Sequence, residues 1–242
     1  MKNKIKEFIY TTSIWNKHYK NKRELRYWKD NIQQMVKWYD GKASFRGFAY
    51  PTEEQKEKRF SLTTNAVMTY VTFETEKASY LADLSLREDS FSGLTVGDLG
   101  SGPFPTLLVF KGCERYCIDH LINDYANLGY PIDEYKNEIT FLHSKLEHIE
   151  CGDNFFDALI SRNALDHTDH FDLVAEEIKR VLKPDGKLVI QVHYHKPTQT
   201  ETQQLNDDII LRALDSIGMK KISSLKDAWG FKGGETVVWS NM

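Results

Sequence analysis

The chain has 242 residues, 40% of them hydrophobic, enough to bury a full core in one domain or in one domain with an appendage. Lysine and arginine number 32 against 35 aspartates and glutamates, a net charge of −3 that gives no general attraction to nucleic acid or to an anionic membrane. Cys113, Cys117 and Cys151 form no C-x-x-C pair and have no histidine at zinc spacing, no apolar run approaches the ~20 residues of a bilayer span, and the N-terminus "MKNKIKEFIYTTSIW" lacks the apolar core and cleavage site of a signal peptide. The expectation is a cytoplasmic protein with reduced thiols.

The first thirty residues break the charge balance. Lys2, Lys4, Lys6, Lys17, Lys20, Lys22, Arg23, Arg26 and Lys29 face Glu7, Glu24 and Asp30, a pattern of either a solvated helix face or a patch that attracts an anionic substrate. "RELRYWKDNIQQMVKWYDG" reads as an amphipathic helix, with Leu25, Trp28, Ile32, Met35 and Trp38/Tyr39 at spacings of three and four and Gly41 as its stop. "TTNAVMTYVTFETEKASYLADL" reads as a second helix, with Thr63 or Thr64 as its cap. The expected division is a helical extension or lid over 1–60 and a main domain over 61–242. Trp28, Trp38, Tyr39 and Tyr50 are the aromatic residues with which a lid would cover a site.

From Leu94 short apolar runs alternate with helical patterns. "LTVGDL", "RYCID", "ITFLHS", "FDALISRN" and "KLVIQVHYH" read as strands. Helical stretches follow from about Pro105, over "HLINDYANLG", over "FDLVAEEIKRVLK" up to the turn "KPDG", and over "NDDIILRALDSIG". "MKKISSLKDA" and "ETVVWSN" close the chain as two strands with no helix between them. Strand–helix alternation predicts an α/β fold with a mostly parallel, doubly wound sheet, and the closing pair predicts an antiparallel hairpin at its edge.

Ligands of such sheets bind at the carboxyl ends of strands, where strand order reverses. The first strand breaks into "VGDLGSGPFP", and glycines there let a ligand approach the backbone. A pyrophosphate loop presents N–H groups to an anion, yet Asp98 stands two residues before Gly100 and suits a cationic ligand instead. Pro105 occupies the position of the third glycine of a dinucleotide loop, and no Gly-Lys-Ser/Thr follows. Asp119 ends the next strand 21 residues after Asp98, where a carboxylate accepts from ribose hydroxyls or caps the following helix.

Over roughly residues 90–242 the sequence resembles the class I S-adenosylmethionine-dependent methyltransferases of the small-molecule branch. "VGDLGSG" is similar to their first motif, "CIDH" to their second-strand acid, and "FDALISRNALDHTDHFDLVAEEIKRVLKPDGKLVI" to their fourth-strand, helix and fifth-strand block. The resemblance implies a Rossmann-like seven-stranded sheet and S-adenosyl-L-methionine as cofactor, with S-adenosyl-L-homocysteine as product. It also implies that Asp98, Gly100 and Gly102 hold the methionine half, that Asp119 takes the ribose, that the Leu146 backbone meets adenine, and that Arg162 contacts the amino-acid end. Two positions depart from the family pattern. Phe104 replaces a third glycine, and Lys145 stands where many members have an acid for the adenine amine. Lysine cannot accept, so either Glu147 substitutes or the adenine is held by backbone and packing alone.

Methyl transfer from a sulfonium needs in-line positioning above all, worth up to ~7–11 kcal/mol, and a base only where the nucleophile must lose a proton. The candidate bases at strand ends are His167 in "ALDHTDH" and His193 and His195 in "QVHYH", the latter two sharing one face. Asp166, His167, His170 and Asp172 sit where a helix begins, so their carboxylates read as caps and no metal is expected. The expected reaction is methylation of a small molecule, with the Lys-rich start pointing to a phosphorylated or sugar-nucleotide precursor of a bacterial surface polysaccharide. No nucleic-acid or membrane partner is expected. The alternatives are an NAD(P)-dependent reductase on a similar sheet and a protein that binds the cofactor without turnover.

Overall fold

The structure, a computed structural model, describes residues 19–46, 49–54, 81–104, 106–226 and 234–242. The sheet comprises β1 (Thr95–Leu99), β2 (Glu114–Ile118), β3 (Thr140–Leu142), β4 (Phe156–Arg162), β5 (Leu182–Tyr194), β6 (Lys220–Lys226) and β7 (Glu235–Ser240). The helices are α1 (Asn21–Tyr39), α2 (Ile122–Asn127), α3 (Phe171–Val181) and α4 (Asp207–Ala213). Strand order is β3-β2-β1-β4-β5-β7-β6. β1 to β5 pair in parallel, whereas β7 runs antiparallel to both β5 and β6. The closing hairpin is therefore part of the sheet, with β7 inside it and β6 at the edge. All of β6 is exposed, and Lys220, Lys221 and Lys226 on it discourage edge-to-edge pairing.

Order reverses between β1 and β4, so a crevice opens above the carboxyl ends of β1, β2 and β4. The two faces of the sheet are filled differently. On one, Phe171, Val174, Ile178 and Val181 form the apolar stripe of α3 and pack on Leu159, Leu188 and Ile190. On the other, Phe91, Leu107 and Phe110 pack on Val96, Ala158 and Val189.

The helix expected from about Pro105 is a single 3-10 turn, Thr106–Val109. The Arg115 guanidinium takes the carbonyls of Leu107 at 3.1 Å and of Phe110, so those oxygens are satisfied without further helical turns. The "KPDG" turn is a bulge in β5: Phe156 pairs with Leu182 but Ala158 pairs with Lys187, and the Lys183 ammonium reaches Asp157 at 2.6 Å. The second N-terminal helix and the 60/61 boundary fall largely outside the described residues.

Helix α1 has no core of its own. Ile32, Met35 and Trp38 pack with Phe45, Phe104, Leu121, Ile122 and Tyr125, so the N-terminal segment and the rim of the sheet share one apolar cluster. Among the described residues, no helix is long and apolar enough to cross a membrane, and all three cysteines are free thiols.

Ile178 is fully buried against β4 and β5, so Ile178→Ala is expected to destabilise the fold by about 2–5 kcal/mol in urea denaturation.

Candidate active site

A cavity of about 950 Å³ occupies the crevice at the switch point. Its floor is the loop after β1. Gly100 and Gly102 both have φ in the left-handed region, and a Cβ on Gly100 would overlap the Ala164 methyl group. Two constraints thus require glycine at 100, one of conformation and one of space. Gly102 passes under the Trp28 ring, whose Cζ2 would lie 3.4 Å from an added Cβ.

Asp98, Asp119, Leu146, Glu147, Arg162 and His167 line this cavity together with Gly100 and Gly102. The Asp98 carboxyl is buried and accepts one hydrogen bond, from the Thr106 hydroxyl at 2.9 Å. Burial, with the neighbouring Asp119 adding to it, pushes its pKa up to about 7. Asp119 is also buried, and burial raises its pKa. One of its oxygens accepts from the Leu121 N–H at 2.8 Å and the other from the Gly102 N–H at 3.0 Å. Asp119 is therefore both a cap for the chain entering α2 and a brace for the glycine loop. Each oxygen keeps a second acceptor direction for a ligand.

Arg162 at the end of β4 reaches Asp83 at 2.7 Å and so enters the cavity wall already oriented. Glu147 lines the cavity with one of its two oxygens already engaged. Its Oε1 takes the N–H groups of Asp169 at 2.7 Å and His170 at 3.2 Å, capping the approach to α3. An acid nevertheless stands beside Lys145. Asp169 accepts from Lys145 at 2.7 Å and from Lys20 at 3.0 Å. Burial alone would raise its pKa, but the two ammonium groups outweigh that and hold it low.

The three histidines part company. His167 lines the cavity between Glu24, 3.5 Å from Nδ1, and Glu201, 3.9 Å from Nε2. Burial opposes its charge, but Glu24 and the other carboxylates push its pKa up to about 9. At neutral pH it is an imidazolium and cannot serve as a base. His193 and His195 do not line the cavity. His193 is buried where β5 meets β7 and its Nδ1 pairs with the Thr236 hydroxyl at 2.8 Å; desolvation lowers its pKa. His195 lies one layer behind, with Nε2 at 3.1 Å from Asp166. The antiparallel pairing with β7 runs through His193 to Tyr194 and ends before His195.

Helix α1 and the residue before it supply one wall of the cavity. Lys20, Asn21, Glu24, Tyr27 and Trp28 all line the cavity. Lys20, with only 4% of its side chain exposed, ties to Asp169, and Asn21 meets His120 at 3.2 Å. Of the four lid aromatics, only Trp28 reaches the cavity; Trp38 is core, bonded to the Ala49 carbonyl at 3.2 Å, and Tyr50 is exposed. Phe104 packs edge-on to Trp28, ring centroids 5.7 Å apart, beneath α1.

Residues 98–190 match the family described as the methyltransferase domain, Methyltransf_11. The match falls within the stretch that resembles the class I S-adenosylmethionine-dependent methyltransferases and supports that resemblance. A stretch of 101 residues, 40% of the chain, is 31% identical to a sterol 24-C-methyltransferase of Kluyveromyces lactis, of which it spans 27%. The chain thus covers about a quarter of that curated relative's length. Its fold is similar to that of the YcgJ protein of Bacillus subtilis (TM-score 0.51, 17% identity, 63% of this chain and 72% of that one). It is equally similar to CrArsM, an arsenic(III) S-adenosylmethionine methyltransferase of Chlamydomonas reinhardtii (TM-score 0.51, 16% identity, 63% and 64%). The cofactor of the methyltransferase domain is S-adenosylmethionine, and the residues present fit it. Asp98 would suit its ammonium and Asp119 its ribose hydroxyls, and the absence of a Cβ at positions 100 and 102 leaves room beside them.

The raised pKa of Asp98 gives a signed pH dependence. Ionising the buried carboxyl costs stability, so its contribution is eroded as pH rises from about 4 to about 7. The ammonium of the ligand's amino-acid end prefers the ionised form. S-adenosylhomocysteine affinity is therefore expected to fall roughly tenfold from about pH 8 to about pH 6, and Asp98→Asn is expected to flatten that profile in calorimetric titrations.

Proposed function

We propose that this chain transfers the methyl group of S-adenosylmethionine to a small-molecule acceptor. The observation that carries the reading is the pair of buried carboxylates, Asp98 and Asp119, braced on either side of the Gly100–Gly102 loop in one cavity. Bound there, S-adenosylmethionine supplies a methyl group activated on sulfur. Asp98 accepts from the ammonium of the amino-acid end, with Arg162 beside it for the carboxylate. Asp119 accepts from the ribose hydroxyls while the Gly102 N–H fixes its orientation. Lys145, Leu146 and Asp169 form the wall for the base, Asp169 being the acceptor nearest Lys145. Trp28 and Glu24 on α1 cover the cavity and exclude water.

A volume of about 950 Å³ is at the upper end of the range for small-ligand sites and leaves space for an acceptor beside the cofactor. A polymer would need an open groove, and α1 closes this one with ion pairs. The phosphorylated or sugar-nucleotide acceptor draws less support. Lys20 is committed to Asp169, exposed Lys22, Arg26 and Lys29 do not line the cavity, and Lys2 to Lys17 lie outside the described residues. Positioning supplies the catalysis in this reading, since His167 is already protonated and its charge is shared with Glu24 and Glu201.

Titration calorimetry tests the reading. S-adenosylhomocysteine is expected to bind and NADH not, and Asp119→Ala is expected to weaken binding by about tenfold or more, the cost of an unpaired ribose hydroxyl and a loosened loop. Binding of NADH in place of S-adenosylhomocysteine would favour a reductase. Tight cofactor binding without methylation of any metabolite in a broad library would favour a protein without turnover.

A further inference from the structure

Behind the cofactor residues, four side chains from three segments converge. Asp166 and His167 sit in the 3-10 turn after β4, His195 follows β5, and Glu201 comes from the loop beyond it. Ligand-competent atoms of Asp166, His167 and Glu201 lie within 4.8 Å of one another. His195 Nε2 is 3.1 Å from Asp166 Oδ2 and 3.6 Å from Glu201 Oε2. His167 Nε2 is 3.9 Å from Glu201 Oε1. Both Nε2 atoms therefore face carboxylates.

The far nitrogen of each ring faces an acceptor as well. His195 Nδ1 lies 2.6 Å from the Lys196 carbonyl, and His167 Nδ1 lies 3.5 Å from Glu24 Oε2. Each ring can keep a proton on Nδ1 for these partners while a metal ion replaces the proton on Nε2. Asp166 is fully buried, and its Oδ1 has no hydrogen-bond partner. A buried carboxylate oxygen left so is costly unless a cation uses it.

We propose that Asp166, His167, His195 and Glu201 form a site for a divalent first-row transition metal ion, for which Zn²⁺ is the natural probe. Two imidazoles and two carboxylates are the donor set of such ions rather than of Mg²⁺ or Ca²⁺. Ligands about 2.0–2.2 Å from a tetrahedral zinc stand roughly 3.3 Å apart, so the separations found here close onto an ion with small side-chain movements. The Glu24 carboxylate and the Lys196 carbonyl occupy the positions of the outer partners that orient metal-binding histidines. His167 and Glu201 also line the cavity, so an ion held here faces the space beside the cofactor, where a substrate oxygen would complete its coordination. The cluster differs from the run Asp166, His167, His170 and Asp172 picked out by sequence. His170 and Asp172 take no part in it, and the partners come from 29 and 34 residues beyond Asp166 and His167 respectively.

The test uses metal alone, with neither cofactor nor acceptor, so its outcome is independent of the methyltransferase reading. Chelator-treated protein is titrated with Co²⁺, followed by visible absorption, and with Zn²⁺, followed by calorimetry. One equivalent of each is expected to bind, Mg²⁺ is not expected to compete, and Glu201→Gln and His195→Gln are each expected to weaken binding at least about tenfold while retaining a cooperative thermal transition. The two variants guard against one that fails to fold. Absence of Co²⁺ and Zn²⁺ binding to the wild type would overturn the proposal and leave protons as the cations of the cluster. Equal affinity in wild type and both variants would overturn it too, because the ion would then sit elsewhere.

Discussion

Two carboxylates are buried side by side at the ends of neighbouring parallel strands, and the rest of the site is arranged around that cost. Burial raises the pKa of both, and Asp119 raises that of Asp98 further. Their surroundings offset that cost only in part: Thr106 gives Asp98 one hydrogen bond with Arg162 nearby, and two backbone N–H groups brace Asp119 with His120 3.8 Å away. A cationic ligand is what such a pair favours. The glycine loop, which cannot carry a Cβ at position 100, leaves that ligand room.

Closure of the site depends on a second set of charges. Lys20 with Asp169 and Glu24 with His167 tie α1 to the loop between β4 and α3, while Trp28 and Phe104 fill the apolar part of the join. The ion pairs are partly buried, so removing one partner leaves an uncompensated charge and costs more than it would at the surface. The helix that roofs the cavity is therefore integral to it, and its apolar face is completed by residues of the sheet's own rim.

Much of this was legible in the sequence, and the limits follow from physics. Strand–helix alternation from Leu94 gave the parallel sheet, and the two closing runs gave the antiparallel pair, because periodicity reports burial directly. Periodicity does not report strand order, so β7 sitting between β5 and β6 emerged only in three dimensions. Asp98, Gly100, Gly102 and Asp119 stood out because their chemistry is local to one strand end and one turn. Glu24, Asp169 and Glu201 carried no such signal. Each gains its role from a partner far along the chain, as Lys20 and Asp169 show across 149 residues. His193 and His195 were read as facing the site because alternation places them on one face, yet alternation cannot say which layer that face meets. Glu147 lines the cavity as its place in the sequence suggests, but its Oε1 also holds the N–H groups of Asp169 and His170, a tie that spacing alone does not reveal.

The central claim is that Asp98 is held near neutrality in waiting for a cation. Carbon-13 NMR of labelled aspartate carboxyl groups, titrated in the free protein and with saturating S-adenosylhomocysteine, tests it directly. The account predicts that Asp98 titrates near pH 7 in the free protein and stays ionised through the neutral range once the ligand is bound. An Asp98 carboxyl that titrates in the ordinary range near 4 in the free protein, or does not respond to the ligand, would contradict it.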